Sequence, residues 1–261
     1  MKPHITENGI TLLNLRSCDH DFYPEPFVYK IRFFCNGTRY YLQINTPGNG
    51  LVPTERYDGK GFEISFREEV LIMLHCYHFE SILTLNTLRI RKPVELTDSA
   101  SCKRFETLIR NFEATYGSSS TQANIKLSAL LRIFLVYVAR QYDNLPIAPD
   151  ELLEDVVLNK FREIVKKNGD HIRSVSGIAS RLSISPGYLN EIIRKQTGNS
   201  PSKLLQNHTL FLAKQAAITS DASMKEIASN LGFADGGHFS KFFRQKTGMT
   251  YSDFKQIFQS L

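Results

Sequence analysis

The sequence predicts an α+β chain, in which a strand-rich N-terminal domain with a helical hairpin precedes an all-α domain of two helix-turn-helix units joined by a linker helix. Three observations predict it. Ile178-Ala179-Ser180-Arg181-Leu182 recurs as Ile227-Ala228-Ser229-Asn230-Leu231, and Arg194-Lys195-Gln196-Thr197-Gly198 recurs as Arg244-Gln245-Lys246-Thr247-Gly248. The offset is 49 residues for the first pair and 50 for the second, so one residue is inserted between helical pieces of equal length, where a turn accepts it and a helix interior does not. The apolar pattern also changes from alternation to helical spacing near Thr97. Finally, residues 156–261 hold 15 Lys and Arg against 7 Asp and Glu, a net of +8, whereas residues 1–155 hold 17 against 19, a net of −2. The basic character of the chain belongs to the half that carries the repeat. A duplicated, basic, helical unit suits a periodic polyanion, and double-stranded DNA is that partner.

Residues 1–96 read as strands and turns. Phe27 to Cys35 and Thr38 to Ile44 flank Asn36-Gly37, a pair that accepts positive φ at both centres of a tight hairpin turn. Phe62, Ile64 and Phe66 alternate with Glu63, Ser65 and Arg67, which predicts a strand with one buried and one wet face. Pro47-Gly48-Asn49-Gly50 and Asp58-Gly59-Lys60-Gly61 supply loops. Segment 70–92 suits either a strand or a buried helix. Aromatics such as Phe33, Tyr41, Phe62 and Phe66 serve as ordinary core or as the lining of a ligand pocket.

In residues 97–143, Asp98 or Thr97 caps a helix through Phe105, Leu108, Ile109 and Phe112 that ends at Gly117. Ser118-Ser119-Ser120-Thr121 connects it to a second helix, to about Tyr142, with Leu127, Leu131, Phe134 and Val138 on one stripe. The two make an antiparallel hairpin. Its stripe packs on its own β domain or meets the same stripe of a second subunit, as a dimerisation surface. Leu145-Pro146-Ile147-Ala148-Pro149-Asp150 marks a linker, residues 144–154.

Residues 155–261 resolve into seven helices. The first carries Leu158, Phe161, Ile164 and Val165 inward. Ser174 caps a short helix with Ile178, Ala179 and Leu182 inward. Ser185-Pro186 then starts a helix that stops at Gly198, the hydroxyl as cap and the proline where no N–H is needed. Leu189, Ile192 and Ile193 form its buried stripe, which sends Gly187, Asn190, Glu191 and Arg194 to the other side, with Lys195 beside them. Asn190 suits adenine, and Arg194 suits guanine or phosphate. Glu191 accepts only from a cytosine amino group. In the second copy Ser223-Met224-Lys225-Glu226 is a capping box, and Gly232-Phe233 makes the turn. The following helix buries Phe239, Phe242 and Phe243, with Gly236, Gly237, Ser240, Lys241 and Arg244 outward. Ser200-Pro201 starts the linker helix, apolar at Leu204, Leu205, Leu212, Ala213 and Ala216, and Thr250 caps a last helix with Phe254, Ile257 and Phe258.

These residues resemble the AraC/XylS family of bacterial transcription regulators over about residues 156–258. The resemblance rests on the two I-A-S-x-L segments, Gly232-Phe233, the Phe239, Phe242 and Phe243 pattern, and Gly248-Met249-Thr250. It implies that the outward residues named above face DNA, together with Ser185 and Pro186 at the start of the first reading helix. It further implies a cupin-like sensing domain over residues 1–96, a homodimer, RNA polymerase as a partner, and a small-molecule effector whose binding residues stay unknown. Three positions depart from the pattern. Thr209 stands where the family commonly has arginine, Tyr251 where it has proline, and Lys255 where it has arginine.

An enzyme is the alternative from another class. No G-x-S-x-G, P-loop or G-x-G-x-x-G pattern is present. His75 and His78 are the only close histidine pair and have no acidic ligand at a persuasive distance, so neither metal nor cofactor is expected. Cys18, Cys35, Cys76 and Cys102 form no C-x-x-C pair, which fits a reducing cytoplasm. The longest apolar run, Ile133 to Ala139, is far short of a membrane span.

Overall fold

The computed structural model describes residues 10–16, 28–45, 60–74, 76, 93–116, 120–143, 153–167 and 174–259. The chain divides into two compact units, Met1–Ile147 and Ala148–Leu261.

Among its described residues the first unit is built on five antiparallel strands, β1 (Ile10–Arg16), β2 (Val28–Asn36), β3 (Arg39–Asn45), β4 (Lys60–Arg67) and β5 (Val94–Leu96), in the order β1-β4-β2-β3-β5. The β2–β3 hairpin pairs Asn36 with Arg39, so its two-residue loop is Gly37-Thr38. Only Gly37 takes a positive φ, 63°. The expected turn is therefore displaced by one residue: Asn36 belongs to the strand, and a single left-handed residue at the first turn position suffices. Opposite Phe34, Gly61 has no room for a side chain, since a β-carbon there would lie 2.6 Å from that of Phe34.

One sheet face is apolar. Tyr29, Ile31, Phe33, Leu42, Ile44, Ile64 and Phe66 join one core with helices α2 (Ser99–Thr115) and α3 (Thr121–Asp143), which follow the short α1 (Glu68–Met73). Phe33 stacks on Phe105 at 5.4 Å, and Phe105 meets Phe134 edge-on at 5.5 Å. Asp98 caps α2 by accepting from the backbone N–H of Ala100 and Ser101. Tyr40 donates to Glu106 across the β3–α2 boundary at 2.6 Å, a bond that pushes the phenol up to about 12. Of the aromatics considered for a pocket, Phe33 and Phe66 are core, Phe62 packs against it, and Tyr41 stacks on Phe34 at 5.5 Å.

Two expectations are corrected here. Glu63 and Ser65, on the polar side of β4, are buried and not wet, while Arg67 at the strand end is exposed as expected. Glu63 is 3% exposed and pairs with Arg32, 4% exposed, at 2.7 Å. Ser65 donates to the other carboxylate oxygen at 3.1 Å. Alternation identified a strand with two chemistries, but a buried face can be polar when its charges pair in register, as Arg32 and Glu63 do on β2 and β4. The stripe proposed for dimerisation is also spoken for. Leu127, Leu131, Phe134 and Val138 are each 0% exposed and lie in the core of their own unit. By length and composition Thr121–Tyr142 could cross a membrane, and this burial explains why a core helix passes that test.

Among its described residues the second unit has seven helices: α4 (Leu153–Lys167), α5 (Val175–Arg181), α6 (Pro186–Thr197), α7 (Pro201–Thr219), α8 (Met224–Asn230), α9 (Gly236–Thr247) and α10 (Tyr251–Gln259). The repeat in the sequence is a repeat in hydrogen bonds. In the first turn Ser183 N–H donates to Ser180 O and Ile184 N–H to Ala179 O; in the second Gly232 N–H donates to Ser229 O and Phe233 N–H to Ala228 O. The offset is still 49 at Phe233 and becomes 50 at the helix caps Ser185 and Asp235, so the inserted residue is Ala234, in the turn. Both reading helices end on a left-handed glycine, Gly198 at φ 71° and Gly248 at φ 80°. Just before them, the hydroxyls of Thr197 and Thr247 lie within hydrogen-bond distance of equivalent carbonyls, Ile193 and Asn199 in the first copy and Phe243 and Met249 in the second.

Ser183 holds the turn with φ 56°, where the second copy uses Gly232 at 64°. A side chain is strained in that region. Ser183→Gly is expected to stabilise the chain by about 0.5–1 kcal/mol, and Gly232→Ser to destabilise it similarly, read as opposite shifts in urea midpoint. Equal signs would show that the turn is not what these positions share.

The linker helix α7 braces both copies. It packs on α6, α9 and α10. It stands to α9 as α4 stands to α6: Glu154 on α4 accepts from Gln196, and Gln206 on α7 accepts from Lys246, the counterpart of Gln196 at offset 50. Tyr251, in the place of proline, is 2% exposed and sits between Phe239 and Phe243 at 5.3 and 5.4 Å. Lys255 donates to the carbonyl of Ala222, fixing the loop before α8. Thr209 turns its hydroxyl back to Leu205 O within α7.

Candidate nucleic-acid interface

Each reading helix is held from behind by apolar packing. On α6, Leu189, Ile192 and Ile193 are at most 1% exposed and join Leu158, Phe161, Ile178, Ala179 and Leu205. On α9, Phe239 and Phe243 are 0% exposed and pack on Tyr251, while Phe243 also meets Phe254. Phe242, expected inside, is half-buried and stacks on Phe233 at 5.2 Å.

With those faces fixed, the opposite sides follow from helical geometry. Ser185 caps α6 by accepting from Tyr188 N–H at 3.1 Å, with Pro186 and Gly187 as the first two helical residues. Gly187, Glu191, Arg194 and Lys195 are exposed and Asn190 is half-buried. On α9, Gly237, Lys241 and Arg244 are exposed, and Gly236 and Ser240 are half-buried. At offset 50 the two sets coincide position by position: Pro186 with Gly236, Gly187 with Gly237, Asn190 with Ser240, Glu191 with Lys241, Arg194 with Arg244. The structure thus gathers each set on one side of one helix. The copies differ most at Glu191 against Lys241, which makes the second face the more basic.

Lys195 is less available than its position in the sequence suggests. Its Nζ lies 2.7 Å from Glu154 Oε1, and that carboxylate holds the ammonium above the ordinary lysine value. Glu154 is in turn held below the ordinary glutamate value, chiefly by the bond from Lys195. This pair ties the reading helix to α4.

Two further residues of these faces escape pattern reading. Tyr188 and His238 occupy the third helical position of α6 and α9, again 50 apart, and both rings are exposed: Tyr188 to 38% and the His238 side chain to 71%. They sit three residues past a helix cap, and that spacing was the available signal. Among the described residues no group of three or more His, Cys, Asp or Glu could hold a metal ion; His75 and His78 lie outside the described residues.

A family model described as a helix-turn-helix domain matches residues 178–257, the span of both units. The chain is 33% identical over 79 residues to the HTH-type transcriptional activator RhaS of Escherichia coli O157:H7, which covers 30% of this chain and 28% of that protein. The chain therefore aligns with under a third of the curated relatives it matches. Among solved structures, a DNA-binding transcriptional dual regulator from Escherichia coli K-12 is 26% identical over 38% of this chain and 94% of its own, with a TM-score of 0.35. Apo ToxT from Vibrio cholerae strain SCE256 is 12% identical over 98% of this chain and 100% of its own, with a TM-score of 0.39.

Proposed function

We propose that this chain, which through its C-terminal unit belongs to the AraC/XylS family of transcription regulators, is a sequence-specific DNA-binding activator that reads double-stranded DNA with both reading helices. The family is one of regulators, not of enzymes. The observation that carries the reading is the pair of equivalent outward faces, each built on a helix whose other side is buried and both braced on α7. A helix of 19 residues spans about 28 Å. That length suits two heads entering successive major grooves on one side of a duplex, about 34 Å apart. The net +8 of residues 156–261 supplies the phosphate attraction. The name of the RhaS relatives supports activation, and RNA polymerase is then the protein partner in the cytoplasm.

In this reading residues 1–96 form a cupin-like sensing domain for a small molecule, residues 97–143 the dimerising hairpin, residues 144–154 the linker and residues 155–261 the DNA-binding domain. The subunit contact uses the side of α3 away from its core, where Ile125, Ile133 and Val136 are 66%, 44% and 41% exposed. Sedimentation of the whole chain reads this directly. A second reading keeps DNA binding and makes the first unit only a dimerising or partner-recruiting module. The burial of Phe33, Leu127, Leu131, Phe134 and Val138 in the core of their own unit favours it. A thermal-shift screen with metabolites separates the two, since a sensor gains stability from its ligand.

Selection of bound duplexes from a random pool with the whole chain tests the main reading. Enrichment of a motif with two elements about one helical turn apart is expected, and a pool without enrichment overturns it. Glu154→Gln provides a second check. With its partner neutral, the ion pair that holds Lys195 to α4 is lost and its ammonium can turn to a phosphate, so affinity at low salt should rise severalfold and the slope of log K on log salt should steepen by about 0.9. An unchanged slope removes Lys195 from the interface.

A further inference from the structure

We infer that His238 is a base-reading residue of the second unit, presenting Nε2 as a hydrogen-bond acceptor to the exocyclic amino group of an adenine or cytosine in the major groove. The inference rests on the DNA-binding reading and adds to it a residue and a base preference.

The geometry fixes which ring atom is available. Asp235 caps α9, with Oδ1 accepting from the backbone N–H of His238 at 2.8 Å and Oδ2 lying 2.8 Å from His238 Nδ1. The bond from that backbone N–H holds the Asp235 carboxyl below the ordinary aspartate value, so it is an ionised acceptor with no proton to give. At 2.8 Å, Nδ1 must therefore carry the hydrogen. In the neutral ring Nε2 is then a lone pair, and it lies at the far side of the ring from the aspartate. Selecting a tautomer through the second nitrogen is the device that orients histidines at other sites.

The surroundings leave the ring open to solvent at the start of the helix. The side chain of His238 is 71% exposed, and it sits in the first turn of a 12-residue helix whose two preceding residues are Gly236 and Gly237. Neither of those two positions carries a side chain. A β-carbon on Gly237 would lie 3.1 Å from Asp235 Oδ1, the atom that caps the helix, so the bare position also protects the aspartate that orients the ring. In the major groove the amino donors are adenine N6 and cytosine N4; guanine offers N7 and O6, and thymine O4, all acceptors. A fixed acceptor at Nε2 hence selects adenine or cytosine and rejects guanine and thymine. The first copy differs at this point. Its counterpart is Tyr188, whose hydroxyl both donates and accepts and makes no such choice. The second unit, which has two glycines where base contacts were sought, thus gains its discrimination from the residue that follows them.

The test measures binding of the whole chain, by fluorescence anisotropy, to a selected duplex in which each base pair is varied in turn. His238→Ala keeps the Asp235 cap, and Asp235→Ser keeps a capping hydroxyl while releasing the ring. Both are expected to reduce discrimination about 3- to 10-fold at one shared position that holds adenine or cytosine, leaving other positions unchanged. Replacing that adenine with purine, which lacks the N6 amino group, should cost the unsubstituted chain the same factor and His238→Ala nothing. Thermal melting of both variants near that of the parent separates this from a loss of fold. Undiminished discrimination at every position, or a shared pair at which removal of the adenine N6 or cytosine N4 amino group leaves binding of the unsubstituted chain unchanged, overturns the assignment to His238 while leaving DNA binding intact. Failure of the unsubstituted chain to prefer any sequence overturns both.

Discussion

Phe243→Ala is expected to cost about 3–5 kcal/mol and to abolish the second reading head, because this ring meets three others across two helices. Phe243 is 0% exposed and meets Phe239 on its own helix at 5.9 Å, Tyr251 at 5.4 Å and Phe254 at 5.4 Å on α10. Removing it leaves a void bounded by rings held at both ends by caps, Asp235 and Gly248 on α9 and Thr250 on α10, so the site collapses poorly. Phe242 is the control. It lies one residue away, is half-buried and meets Phe233 at a tilt, so Phe242→Ala should cost well under half as much. Urea unfolding followed by circular dichroism measures both. If the two variants unfold at the same midpoint, the aromatic cluster is not what holds α9 against α10.

Local chemistry made the C-terminal half legible. Ser174, Ser185, Ser200 and Ser223 each cap the helix they precede, Glu226 completes the capping box, and Gly198 and Gly248 end the reading helices. Each of those signals is decided within a few residues, so no tertiary knowledge is needed to find it. The single inserted residue was likewise implied by the offsets 49 and 50, and the hydrogen bonds locate it at Ala234.

The N-terminal half was less legible because there the deciding contacts are distant in sequence. Glu63 reads as a solvent residue until Arg32, 31 positions away, is seen beside it. The stripe of Leu127, Leu131, Phe134 and Val138 shows that one side of α3 is buried, and helical spacing alone says nothing of whether its own sheet or another subunit buries it. β1 was not identified as a separate strand; seven residues paired to β4 gave little alternation to read. The same limit hid His238. A histidine after two glycines carries no pattern, and its meaning depends on the two oxygens of the residue that caps its helix.

The outward faces carry the second large effect. Arg194→Ala and Arg244→Ala are each expected to weaken binding to a selected duplex by about 1–3 kcal/mol, roughly 5- to 150-fold. Both arginines are exposed, neither is in the core, and each also offers its backbone carbonyl to the capping glycine, a bond that alanine keeps. Stability should therefore change little while affinity falls, the opposite of Phe243→Ala. The pair further separates phosphate contact from base contact. An arginine on phosphate weakens all sequences alike and lowers the salt slope by about one, whereas one that forks onto guanine relaxes the preference at a single base pair. Because Glu191 stands beside Arg194 and Lys241 beside Arg244, the first arginine works against a neighbouring negative charge and the second with a positive one. Arg244→Ala should for that reason lower the salt slope more than Arg194→Ala. Unchanged affinity in both variants would mean that the faces opposite Ile192 and Phe243 do not meet DNA, and the orientation of both reading helices would have to be abandoned together.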